Sequence, residues 1–287
     1  MKKKKFIQDF YAMKEKREAI TYITSYDYPT ATFAERAGID MILVGDSLGM
    51  CVYGYEGTMP VTMDQMIWHT EAVRRGAPNT FIIGDMPFLS YQTTDEAAVE
   101  NAGWFFKEAR VDAVKLEGGV RVASRIKAIV DAGMLVMGHI GLTPQSSSQL
   151  GGFKAQGRTL DSAKAQVEDA LAVQEAGAAM ILLEAIPPEV SGYIRDTLSI
   201  PVLSIGAGPH CDGQLLIVSD MLGVFEAFTP KFVKRYAEVA KICTEALTSY
   251  VQEVREKKFP EPKHIYPMIP DELTKFKEWA AGQKKKS

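Results

Sequence analysis

The stretch DAVKLEGG at residues 112–119 decides how the rest of the chain is read. A short apolar run ends in an acid, Glu117. The same design recurs in MILVGDS at 41–47 (Asp46), FIIGDMP at 81–87 (Asp85) and AAMILLEAI at 178–186 (Glu184). Short, nearly continuous runs of Val, Ile and Leu suit strands buried on both faces of a parallel sheet. A carboxylate at the mouth of such a strand costs desolvation unless a cation or a donor meets it. Acids on successive strands of one sheet converge in space, and that pattern points to a metal-assisted active site.

Working outward from these four runs gives eight candidate strands. They are 20–26, 41–46, 81–85, 112–117, 135–141, 178–184, 201–206 and 214–219. Helical patterns lie between most of them. Thr62 and Gln65 read as a capping box that opens a helix, and Gly76 closes it. Residues 161–176 are strong helix formers with Gly177 just past their end. Residues 230–258 form a long amphipathic pattern stopped by Pro260 and Pro262. Strands alternating with helices predict an α/β fold, a (β/α)₈ barrel, with the doubly wound open sheet as runner-up. The expected division is an N-terminal helical segment at 1–19, a catalytic barrel at 20–258 and a C-terminal extension at 259–287.

A chain of 287 residues suits one α/β barrel. With 24% charged and 46% hydrophobic residues and a net charge of −3, the composition is that of a soluble protein. Lys and Arg are scattered, so no nucleic acid is expected. Cys51, Cys211 and Cys243 lie far apart, which fits reduced thiols in a cytoplasm rather than a disulfide framework. The start MKKKKFIQDF is basic but has no apolar stretch behind it, so it does not read as a secretory signal. No apolar run approaches the roughly 18–20 residues of a membrane helix.

Two stretches are too long to be mere connectors. They are 48–61 (LGMCVYGYEGTMPV) after the second strand and 142–159 (LTPQSSSQLGGFKAQGRT) after the fifth. Both leave the carboxyl ends of strands, where barrel enzymes build their sites. The serines and Gly151–Gly152 suit a mobile lid, with plain disorder as the alternative.

Within VKLEG, Lys115 and Glu117 are two apart and share one strand face. Val114 and Leu116 point the other way, toward the helices. The charged pair therefore faces the barrel interior, either as a structural ion pair or as part of a site. Asp46 and Asp85 each follow a glycine, Gly45 and Gly84, that permits close approach of backbone or ligand. Singly, each also reads as a turn cap. With Glu117 they make three hard oxygen donors, a set suited to Mg²⁺. Glu184 follows a run with no other polar group, where desolvation suits a general base; the alternative is a salt bridge to a surface base. The glycines of SIGAG (Gly206 and Gly208) resemble a phosphate-binding turn, or simply allow tight packing. His139, in GHIG, reads as a satisfied histidine at the barrel end, with a ligand contact as the alternative. His69 and His210 are not distinctive.

Taken in order, these segments resemble the ketopantoate hydroxymethyltransferase (3-methyl-2-oxobutanoate hydroxymethyltransferase) family. The stretches that carry the resemblance are TSYDYPTA, LVGDSLGM, MPVTMDQMIWHTEAVRRGAPN, GDMPFLSY, VKLEGG, GHIGLTPQS, GGFKAQGR, LLEAIP and SIGAGPHCDGQLLIVSD, spread over about residues 20–240. The resemblance implies a barrel of the phosphoenolpyruvate/pyruvate-domain type. It implies transfer of a one-carbon unit from 5,10-methylenetetrahydrofolate to 3-methyl-2-oxobutanoate, giving ketopantoate for pantothenate and coenzyme A synthesis. It further implies Mg²⁺ on Asp46, Asp85 and Glu117, substrate contacts from Asp46, Ser47, Asp85 and Lys115, and Glu184 as proton acceptor. A homo-oligomer, often a decamer, is expected. Beyond FPEPKHIYP at 259–267 the tail departs from the family pattern, and reads either as a short helix opened near Asp271 or as a solvated segment.

Residues and resemblance agree on the chemistry. A chelated 2-oxo acid is acidified at C3, Glu184 removes the proton, and Lys115 helps to stabilise the enolate oxygen. A Schiff base on Lys115 ranks lower, because Glu117 on the same face keeps the amine protonated. The nearest rival is a Mg²⁺-dependent 2-oxo-acid lyase or mutase of the same barrel group. Such lyases commonly present a cysteine in a K-x-C-G-H-like loop, and this sequence has none. A non-catalytic oligomeric scaffold is the rival from another class, disfavoured because every expected acid is present.

Overall fold

The computed structural model describes residues 3–283 of the chain. By their contacts these fall into two units divided after Ala237. The first unit is a closed barrel of eight parallel strands in sequence order. They are β1 (Ile20–Thr24), β2 (Met41–Val44), β3 (Phe81–Asp85), β4 (Ala113–Glu117), β5 (Val136–Gly141), β6 (Met180–Glu184), β7 (Val202–Ile205) and β8 (Gly213–Leu216). The open sheet is thereby excluded. A helix follows most strands, including Tyr28–Ala37 after β1, Asp95–Lys107 after β3 and Leu160–Glu175 after β5.

Side-chain alternation sorts each strand into two layers. Val114 and Leu116 of β4 point outward into the apolar layer beneath the helices. Ala113 points into the barrel with Tyr22, Met41, Phe81, Met137, Met180 and Leu203. The helix Ile7–Lys16 supplies Phe10, fully buried, whose ring meets Phe81 edge-on at 5.1 Å. The amino-terminal end of the barrel is thus filled with apolar side chains. Two residues further along β4, Lys115 and Glu117 take the same inward face, so polarity begins where the apolar filling stops.

Parallel register fixes which site residues are neighbours. Asp85 lies beside Lys115, Glu117 beside His139, and Gly141 beside Glu184. Gly141 has φ +95°, and a Cβ there would lie 2.2 Å from the Glu184 carbonyl oxygen. Only glycine lets β5 pass that close to β6.

The second unit holds the helices Val239–Arg255 and Pro270–Gln283. The amphipathic pattern from 230 predicts a helix nine residues longer at its start than the one observed. Residues 225–232 are used otherwise, because Phe225, Phe228 and Phe232 line the barrel mouth. The tail past 267 is helical from Pro270, one of the two expected outcomes, and its last four residues lie outside the described part. Among the described residues no helix is long and apolar enough to cross a membrane.

Candidate active site

A cavity of about 400 Å³ opens at the carboxyl ends of the strands. Asp46, Ser47, Asp85, Lys115, Glu117 and Glu184 all line it, from four different strands or strand ends. Sequence reasoning placed these six together, and the barrel brings them together.

Lys115 is central to the polar half. Its Nζ lies 2.7 Å from Asp85 Oδ1 and 3.5 Å from Glu117 Oε1, with all three side chains almost fully buried. Asp85 Oδ2 accepts the main-chain N–H of Asp46 at 3.0 Å. Gln145 closes the set from the loop after β5. Its Nε2 donates to Asp46 Oδ2 at 2.9 Å, and its N–H donates to Glu117 Oε2 at 3.0 Å. Tyr91 holds Gln145 in turn, donating to its Oε1 at 2.7 Å. Ser47 Oγ lies 2.9 Å from the Tyr26 hydroxyl.

His139 is more than a satisfied barrel-end histidine. Its Nδ1 lies 3.3 Å from Lys115 Nζ and 3.4 Å from Glu117 Oε1, and its Nε2 lies 3.2 Å from Glu184 Oε2. The Nε2 contact is close but poorly aligned, so this buried nitrogen still lacks a well-directed acceptor. The expectation that Glu184 stands among apolar groups therefore needs correction. Its partner comes from the adjacent strand, which periodicity along β6 cannot reveal.

Burial and like charge set the electrostatics. Desolvation, then repulsion from Asp85 and Glu117, pushes the Asp46 carboxyl well above the usual range. Desolvation also raises Asp85, against the attraction of Lys115. Glu117 is lowered: burial opposes this, but Lys115 and the hydrogen bond with His139 prevail. Burial and Lys115 push His139 down, yet the Glu117 and Glu184 carboxylates close beside it overcome them and raise it to about 9. Lys115 is raised for the same reason, its three carboxylate neighbours outweighing burial.

Four carboxylates (Asp46, Asp85, Glu117 and Glu184) thus face two cations, Lys115 and protonated His139. With every acid ionised, two negative charges remain, the amount one divalent ion neutralises. Asp85 Oδ1 is also a buried oxygen without an aligned hydrogen bond. This donor set of hard oxygens fits Mg²⁺. No three His, Cys, Asp or Glu side chains among the described residues form a ready-made cage around one point. Lys115 lies between Asp85 and Glu117, within 2.7 Å of one and 3.5 Å of the other.

The ligand reading of Gly84 is corrected, and of the two readings of Gly206 the packing one holds. Gly84 is small because Phe105 packs on it, a Cβ there lying 2.4 Å from that ring, and not to admit a ligand. Gly206, at φ +69°, lies under the Phe232 ring in the same way, so packing accounts for it and no phosphate turn is needed. Gln145, Tyr91 and the phenylalanine wall were missed in the sequence, since nothing in their spacing ties them to the strand-end acids.

Comparison with known proteins decides the family. The model of the family described as ketopantoate hydroxymethyltransferase matches residues 4–262. The chain belongs to that family. It is 63% identical over 269 residues to a 3-methyl-2-oxobutanoate hydroxymethyltransferase of Alkaliphilus metalliredigens, covering 94% of this chain and 95% of that one. It is 50% identical over 276 residues to a protein of the same name from Syntrophobacter fumaroxidans, covering 96% and 98%. Among solved structures, 2,3-dimethylmalate lyase, a PEP mutase/isocitrate lyase superfamily member, superposes with a TM-score of 0.55. That match has 18% identity and covers 97% of this chain and 96% of that one, so it speaks to the barrel alone. Ketopantoate hydroxymethyltransferases and such lyases share the architecture, and this chain carries the transferase sequence on it.

Proposed function

We propose that the chain transfers a hydroxymethyl group from 5,10-methylenetetrahydrofolate to 3-methyl-2-oxobutanoate. The product is ketopantoate (2-dehydropantoate), for pantothenate and coenzyme A synthesis. Family membership supports the reading. The observation that carries the mechanism is the chain Lys115–His139–Glu184 across three adjacent strands, open to one cavity.

Asp46, Asp85 and Glu117 would hold Mg²⁺, which when bound polarises the keto group of a 2-oxo acid and acidifies its C3 proton. Asp46, Ser47, Asp85 and Lys115 receive the oxo acid. Lys115, charged and dry, offers its ammonium to oxygen that gains negative charge as the enolate forms. Glu184 accepts the C3 proton as general base. His139 keeps positive charge beside that carboxylate without locking it in an aligned bond, so Glu184 is free to turn toward substrate. The enolate carbon then forms the new bond to the one-carbon unit as that unit's two bonds to folate nitrogens break; water supplies the hydroxyl oxygen, and tetrahydrofolate leaves with those nitrogens protonated. A Schiff base on Lys115 is disfavoured, because an ammonium held by Asp85, Glu117 and Asp46 has no lone pair to offer.

An oligomer of identical chains in a cytoplasm completes the reading. Free cysteines favour the compartment. Leu247, Tyr250, Val251 and Val254 of the helix Val239–Arg255 lie on one helical stripe and are exposed, which favours self-association.

Incubation with Mg²⁺ and 3-methyl-2-oxobutanoate in D₂O tests the proposal. Exchange of the C3 proton without folate, and ketopantoate only after the folate donor is added, is the expected result. Cleavage of a 2-oxo acid without any one-carbon donor would establish the lyase reading instead.

A further inference from the structure

The cavity has two unlike halves. The half already described is acidic. The other, beyond β8, is apolar: Leu215, Ile217, Phe225, Phe228 and Phe232 line it, with Phe153 from the loop after β5. Two charged side chains line that half, exposed Lys231 and buried Asp220.

Asp220 follows β8 in the helical turn Val218–Met221 and is 4% exposed. Among the described residues its carboxylate has no hydrogen bond and no ion pair, only the longer-range pull of Arg235. Burial, against that pull, raises it to about 6. Its neighbour Cys51 brings no positive charge: burial first and Asp220 second push that thiol up to about 12, so it stays neutral. The Tyr26 hydroxyl pairs with Ser47 Oγ at 2.9 Å. A carboxylate buried in this way destabilises the folded chain unless a partner arrives from outside. The oxo-acid chemistry at Glu184 and Lys115 makes no use of it.

The walls define the missing partner. Phenylalanine rings accept a flat ring on their faces. A carboxylate best meets two adjacent N–H donors, which it accepts as a bidentate pair. A planar heterocycle with an amino group next to a ring N–H satisfies both. The pterin of a tetrahydrofolate has that edge in its 2-amino group and N3–H. Resting on the donor assigned above, we propose that Asp220 receives this edge while Phe225, Phe228 and Phe232 hold the ring. The one-carbon unit is thereby presented to the acidic half, where Glu184 and Lys115 act.

The experiment uses the full chain with Mg²⁺ and 3-methyl-2-oxobutanoate present. Two probes are titrated: tetrahydrofolate, and 6-methyltetrahydropterin, which has the ring but no benzoylglutamate tail. Asp220→Asn keeps the shape but faces the two ring donors with an amide group of its own. It should weaken both probes about 10–100-fold. KM for methylenetetrahydrofolate should rise in step, with affinity for the oxo acid retained. Phe228→Ala, at a position 61% exposed and so tolerant of truncation, should weaken the pterin probe as well. Wild-type affinity of Asp220→Asn for 6-methyltetrahydropterin overturns the proposal and leaves the donor standing. Loss of oxo-acid affinity together with pterin affinity overturns it too, since Asp220 would then support the acidic half. Failure of the unaltered protein to bind either probe removes the folate donor itself, and the pterin site with it.

Discussion

His139 Nε2 stands 3.2 Å from Glu184 Oε2, yet its N–H is not aimed at that oxygen. The positively charged ring stands beside the carboxylate, while poor alignment leaves Glu184 without a fixed donor. A general base must be free to reach the proton it removes. His139 Nδ1 lies at the same time within 3.4 Å of Glu117 and 3.3 Å of Lys115. One ring thus couples the base to the groups that receive the oxo acid.

The acid cluster makes a direct demand on metal binding. Asp46→Ala and Asp85→Ala each remove one carboxylate donor, and Asp85→Ala also relieves repulsion that raises Asp46. Both variants should fold, and Mg²⁺ or Mn²⁺ affinity with the oxo acid present should fall by about 100-fold or more, given that loss of even outer supporting groups costs 10–100-fold. Calorimetric titration checks this. Unchanged affinity in both variants would exclude them as ligands.

Asp220 ties stability to pH. Its carboxyl titrates at about 6 in the folded chain against the ordinary 3.8. Between those values the folded protein holds a proton that the unfolded chain has lost. Stability from this group is therefore full below pH 4, falls as pH rises to 6, and stays reduced above. Two units correspond to about 3 kcal/mol at most. Asp220→Asn should unfold at higher urea than the parent at pH 7.5, by about 1–3 kcal/mol, and equally at pH 4. An equal midpoint at both values would show that Asp220 meets a partner in the folded chain.

The loop after β5 is tethered at both ends. Gln145 bonds to Asp46 and Glu117, and Gln156 donates its N–H to the Ala185 carbonyl at 3.0 Å. The exposed stretch between carries Phe153, which lines the cavity. Limited proteolysis should cut near Gly151–Lys154 in the free protein and be slowed when oxo acid and folate are bound. Equal cutting in both states would mark a static loop.

The exposed stripe on Val239–Arg255 predicts an assembly. Leu247→Glu puts a charge in the middle of it and should yield smaller particles by mass photometry, with the helical circular dichroism retained. Particles of unaltered size would place the stripe outside any subunit contact.

Much of the barrel was legible because buried parallel strands leave continuous apolar runs, and each strand-end acid interrupts one. Lys115 and Glu117 could be paired by the two-residue period of β4. Contacts between strands were hidden. His139 meets Glu184 only through the register of β5 against β6, and Gln145 meets Asp46 across 99 positions of sequence. The helix expected from 230 began later for a related reason. An aromatic pattern reads as a helix face until the fold shows that its rings line a cavity.

Glu184 carries the central claim. Glu184→Gln keeps the shape of the side chain but cannot take a proton, and the oxo acid and metal should still bind through β2, β3 and β4. The measurement is C3 proton exchange of 3-methyl-2-oxobutanoate in D₂O with Mg²⁺ and no folate, followed by proton NMR. Exchange and full turnover should fall together by roughly 10²–10⁴-fold, the usual contribution of a positioned base. Exchange at the parent rate in folded Glu184→Gln, with or without a lower melting temperature, would contradict the account and move the base elsewhere.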